Sequence, residues 1–163
     1  MSIHWKFFWL PALGILSVVL VLAACGSDEP ELPDTTGASV RAYLNAVDYQ
    51  NNDDWKLWPG TTEMYQGDDP HGAKLTTRLN PAAFDAIGGA MPDGAIIVKE
   101  NYSPAGELGA VTVMYKKSGY NPEHNDWFWV KELADGTFEK EGKVMGCQDC
   151  HVDGTDYVWG PQQ

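Results

Sequence analysis

The chain has 163 residues, 44% hydrophobic and 12% aromatic, which fits one folded domain and excludes a disordered tail, a collagen-like repeat or a multi-span membrane protein. With 11 Lys and Arg against 23 Asp and Glu, the net charge is -12, and so acidic a chain repels phosphate backbones: nucleic acid is not an expected partner. The 3 cysteines cannot all pair within one chain, so at least one has another fate.

Residues 1–24 read as a targeting segment. Lys6 is its single Lys or Arg, and it holds no acid. From Trp9 to Ala24 it is apolar, broken only by Pro11, Gly14 and Ser17. That is short for a membrane span and fits the apolar region of a signal peptide. It closes on Leu22-Ala23-Ala24-Cys25, which resembles the lipobox of bacterial lipoproteins. The resemblance implies a lipid on Cys25, a mature chain beginning there, and an exported protein anchored to a membrane and facing the periplasm or cell surface. An ordinary signal peptide or an uncleaved anchor is the alternative. The mature chain would keep 10 basic residues against 23 acidic, a charge of -13. Residues 25–37, rich in Asp, Glu, Pro, Thr and Gly, read as a flexible tether, and 38–163 as the domain.

Within the domain, Val40, Tyr43, Leu44 and Val47 recur at helical spacing, predicting a helix over 39–49 with a cap among Asp34, Thr35 and Thr36. Trp55 and Trp58 form an aromatic patch, and 61–72 reads as irregular. Leu75, Thr77 and Leu79 alternate, predicting a strand over 74–79, and Asn80-Pro81 starts a short helix that Gly88-Gly89 closes. Strands are expected over 95–102, 108–117, 127–133 and 137–143, with a hairpin turn at Asp135-Gly136. The fold class is therefore α+β, mainly antiparallel sheet with a few flanking helices.

The run Cys147-Gln148-Asp149-Cys150-His151 has C-x-x-C-H spacing and reads as attachment of one covalent haem c. On the first turns of a helix, cysteines three apart reach the two vinyl groups on one porphyrin edge, and the next histidine presents its imidazole to the iron. A zinc knuckle needs a second ligand pair, which the chain lacks. A thioredoxin-type pair belongs to a βαβ order not seen here, and a disulfide leaves His151 without a role.

With that motif in place, residues 71–159 resemble the cytochrome P-460 family. The resemblance rests on His71-Gly72, then Asn80 with Ala82 and Ala83, and then Gly94 to Asn101. It continues through Val113-Met114-Tyr115-Lys116, Tyr120-Asn121-Pro122, Asp126-Trp127-Phe128, Gly146 to His151 and Asp156-Tyr157-Val158. It implies an antiparallel β domain, one c-type haem and a homodimer. The family includes hydroxylamine-oxidising enzymes, in which a lysine is crosslinked to the haem. It also includes cytochromes c′-beta, which bind nitric oxide or carbon monoxide without that link. Lys99 looks like the crosslinking lysine; read from the residues alone, it can equally be a snorkelling strand lysine. The oxidising members carry a distal carboxylate, expected on the strand over 111–117. That strand has no acid, and Thr112 or Met114 stands there instead.

An open sixth iron position permits catalysis or gas binding, and a filled one favours electron transfer. The candidates to fill it are His71, His124, Met64, Met91, Met114 and Met145. His71 and His124 lie in turns and are expected to be exposed, Met145 is too near the motif to reach round the haem, and Met114, mid-strand and apolar, reads as core. The distal face is therefore expected to be open or weakly occupied. Trp127, Phe128, Trp129 and Trp159 are the expected apolar wall, with Met114 beside them. The expected activity is redox chemistry or binding of small nitrogen species such as hydroxylamine or nitric oxide. A gas binder or a simple electron carrier is the alternative, with other, basic cytochromes as electron partners.

Overall fold

The structure is a computed structural model that describes residues 30–160, together with positions 1, 2 and 4. Cys25 and the signal segment lie outside the described residues, apart from those three positions. The elements run α1 (Gly37–Ala46), β1 (Lys56–Leu57), β2 (Tyr65–Gln66), β3 (Lys74–Leu79), α2 (Pro81–Asp85), β4 (Ile96–Tyr102), β5 (Leu108–Lys116), β6 (Trp127–Leu133), β7 (Phe138–Gly142) and α3 (Met145–His151). A 3-10 turn spans Pro122–His124. One antiparallel sheet holds all seven strands in the order β1-β3-β4-β5-β6-β7, with β2 on the same edge of β3 as β1.

The central four strands and their turns follow the alternation of the sequence. Asp135-Gly136 makes the β6–β7 turn, with Gly136 at φ 86, a left-handed conformation that glycine adopts without strain. The side chain of Asn80 caps α2 by accepting from the Ala83 and Ile96 amides, and it donates to the Gly94 carbonyl, tying helix to sheet. Thr36 caps α1 through Ser39 N. Two-residue strands carry no periodicity, so no local pattern predicts β1 and β2. The folded part also begins earlier than expected. Pro33 is buried and the Gly37 amide donates to Glu141 at 2.9 Å, so the end of the expected tether belongs to the domain.

The sheet separates two cores. On one face α1 lays Val40, Tyr43, Leu44 and Val47 over Ile96, Val98, Val111, Val113, Tyr115, Phe128 and Val130. On the other, Leu79, Ile97, Met114, Trp127 and Trp129 pack with Ala83, Met91 and Tyr157, and Cys147 lies against them. Successive strand residues face opposite ways. This corrects one expectation: Phe128 belongs to the α1 face, edge-on to Tyr120 at 5.4 Å, and cannot share a wall with Trp127. The same alternation splits Lys99 from Glu100. Glu100 is buried on the α1 side, where it accepts from Tyr49 (2.9 Å), Tyr102 (3.0 Å) and Arg78 (3.2 Å).

Candidate haem site

Helix α3 carries Cys147, Cys150 and His151, with both thiols free. Cys147 is half-buried and its thiol is pushed up by burial, so it stays protonated at neutral pH. His151 is oriented by two contacts. Its Nδ1 lies 2.8 Å from the Tyr157 carbonyl, which can only accept, so Nδ1 carries the proton and Nε2 is left bare. Its ring also stands edge-on to Trp129, at 4.9 Å between centroids. Burial lowers the His151 pKa, keeping the imidazole neutral.

The carbonyl that holds His151 is itself held. Asp156 and Tyr157 both have left-handed backbone (φ 51 and 65). For non-glycine residues that conformation persists only when the surroundings over-determine it. The Asp156 carboxylate does so. It receives Lys116 Nζ at 2.8 Å, the Met91 amide at 2.7 Å and Asn125 at 2.8 Å, while its backbone carbonyl accepts the Trp127 indole N–H at 2.8 Å. Tyr157 Oη lies 3.1 Å from Nδ1 of His124, which is therefore a half-buried supporting residue and not a free turn.

Above α3 the sheet presents two neighbouring rows, read from the strand register. One is apolar: Leu79, Ile97, Met114 and Trp129. The next is polar and cationic: Thr77, Lys99, Thr112, Lys131 and Lys140. Thr112 sits between Lys99 and Lys131, and its hydroxyl donates to the Lys99 carbonyl at 3.3 Å. The Lys99 side chain makes no hydrogen bond or ion pair among the described residues. Trp129 Nε1 is buried without an acceptor. Trp159 lies over the end of α3, its Nε1 donating to the Cys150 carbonyl at 3.3 Å.

His71 was expected to be an exposed turn residue. It is half-buried, and its ring lies 6.3 Å from that of His151, with the planes at 85°. Its Nδ1 is 3.1 Å from Asn101 Oδ1. Burial first, then the nearby Lys99 charge, push its pKa down to about 4. The sequence offers His71 as a candidate ligand but not its place beside His151, because that partner lies 80 positions away and the two meet only in the folded chain.

These features fit a c-type haem. It needs two thiols and one bare imidazole nitrogen from the protein, an apolar surface for the ring, and donors for its propionates. The apolar row meets the third need, and Lys99 and Trp129 are donors with no protein acceptor. Among the described residues no three His, Cys, Asp or Glu side chains converge as a metal-ion site. No family model matches the chain, and no characterised protein matches it.

Burial holds Lys99 below the ordinary lysine value, at about 8. Between about 8 and 10.5 the unfolded chain therefore binds more protons than the folded one, so this residue makes stability rise with pH across that window. Replacing Lys99 by Met in protein made without haem maturation should remove the rise. Urea midpoints for both proteins from pH 8 to 10 check this, and parallel curves would contradict it.

Proposed function

We propose that the protein is an exported, lipid-anchored monohaem c-type cytochrome resembling cytochrome P-460. Its substrates or ligands are small nitrogen species such as hydroxylamine or nitric oxide, and its electron partners are other cytochromes. The observation that carries the reading is His151: on the helix of Cys147 and Cys150, its Nδ1 is bonded to the Tyr157 carbonyl and its Nε2 is free. Metal-binding histidines are oriented in this way by a fixed acceptor on the other nitrogen.

Cys147 and Cys150 would hold the group through thioethers. Each thiol adds across a vinyl group, its sulfur bonding one carbon and its hydrogen passing to the other, so no external oxidant is consumed. His151 would be the axial ligand. When bound, haem c supplies a one-electron couple and a coordination position for a small molecule. Met114, Trp127 and Trp129 would supply apolar surface for the group, and Lys99, the residue that resembles the crosslinking lysine, would lie near it with Thr112 as its strand neighbour. Cys25 would tether the domain to a membrane, with the haem domain in the periplasm or at the cell surface. The resemblance implies a homodimer. The acidic surface would favour neutral or cationic ligands and basic redox partners.

A second reading, a simple electron carrier with a filled sixth position, is favoured by His71, which faces His151. Absorption spectra of protein matured with haem test these readings. A broad, red-shifted Soret band would mark a covalent tie at Lys99, and a high-spin spectrum without that shift would mark a gas binder. Sharp low-spin α and β bands would mark the carrier. A pyridine haemochrome assay showing no covalent haem would overturn all three.

A further inference from the structure

We infer that His71 is the second axial ligand of the haem, opposite His151. The inference rests on the haem reading above and adds the residue that closes the other face.

Three observations carry it. The first is the separation. The two imidazole centroids are 6.3 Å apart. A metal held between two imidazole nitrogens at about 2 Å from each separates the ring centroids by about 6 Å. A small ligand hydrogen-bonded to His71 would add its own length and a contact of about 2.8 Å, which this separation does not contain. The distance therefore matches a ligating His71 better than one acting as a distal base.

The second is the tautomer. Asn101 Nδ2 donates to the Lys99 carbonyl at 2.8 Å, the Ala110 carbonyl at 3.2 Å and the Thr112 hydroxyl at 3.2 Å. These bonds leave Asn101 Oδ1 turned to His71, where it can only accept. His71 Nδ1 must donate, and Nε2 is the bare nitrogen. His71 and His151 thus have the same arrangement: Nδ1 pinned to a rigid oxygen and Nε2 free.

The third is the position of the anchor. Asn101 lies on β4 two residues from Lys99, on the same sheet face, and is 6% exposed. The strand that carries Lys99 thus also fixes the orientation of His71. Met91 and Met114 are packed into the core on this face, and Met64 and Met145 are 44% and 72% exposed; none of these sulfurs is paired with His151 as the His71 ring is. With both positions occupied, the resting protein transfers electrons, and a small molecule must displace His71 to reach the iron.

The test uses the full-length protein matured with haem, compared with its His71→Ala variant. The wild type should show a low-spin spectrum in both oxidation states and bind carbon monoxide poorly. The variant should keep its covalent haem in the pyridine haemochrome assay, turn high-spin and bind carbon monoxide readily. Added imidazole should return it to low spin, a rescue that a purely structural defect would not allow. A high-spin wild type, or a His71→Ala protein that stays low-spin, overturns the inference. Absence of covalent haem from the wild type overturns the haem reading itself, and this inference with it.

Discussion

Replacing both Cys147 and Cys150 with alanine is expected to abolish covalent haem attachment. Heme staining of the denatured protein on a gel would then show no band, while the wild type stains. Single variants should retain one thioether and stain weakly. The expectation follows from the arrangement on α3, where residues three apart share a helix face and His151 is the next position after Cys150. Neither thiol is in a disulfide, so against wild type made without haem the double variant should keep its stability to within about 1 kcal/mol, as for partly exposed substitutions that break no buried network. Staining that survives in the double variant would remove the motif from the site.

Asp156→Ala is expected to be the most damaging single change outside the motif. The Asp156 side chain is 6% exposed and that of Lys116 13%. Removing one partner of a buried ion pair leaves the other charge uncompensated and costs roughly 3–5 kcal/mol. The variant also frees the Met91 amide and Asn125, and it leaves the left-handed backbone held only by main-chain bonds and the Trp127 indole. The loss should therefore reach His151 through the Tyr157 carbonyl. Urea unfolding should show the loss of stability. Covalent haem incorporation should fall in parallel, because the imidazole is no longer oriented. Asp156→Asn, which keeps the shape and part of the bonding, should lie between the two. A destabilised Asp156→Ala protein with normal haem incorporation would limit Asp156 to a structural role.

Much of the fold was legible from local pattern. Leu75, Thr77 and Leu79 share one face of β3, although Thr76 and Arg78 on its other face are buried too, and Val40, Tyr43, Leu44 and Val47 line one side of α1. Asn80 and Pro81 are a cap and a first helical residue in any context. The run from Cys147 to His151, on which the proposed haem rests, was visible because two thiols and an imidazole stand at a fixed local spacing. What was not legible depends on register. Phe128 and Trp127 are both large aromatics, and only the pairing with β5 and β7 decides which of them faces α3. The gathering of Lys99, Thr112 and Lys131 in one row has the same origin.

The histidines show the limit most clearly. His71 in Pro-His-Gly and His124 in a Pro-Glu-His turn read alike, as exposed turn residues. Tertiary packing separates them, sending His71 to Asn101 and His151, and His124 to Tyr157.

By itself the sequence determined the chemistry within reach: an acidic domain of α+β class, two thiols and a histidine at haem spacing, and a cysteine where a lipid would be attached. These depend on composition and on separations of a few residues, which the chain carries in any conformation. The tertiary structure alone decided which side chains share a face with α3, which nitrogen of His151 is bare, and that a second imidazole lies 6.3 Å from it. Those facts follow from strand register and from the left-handed turn at Asp156 and Tyr157, where residues distant in the chain meet only once the sheet has formed.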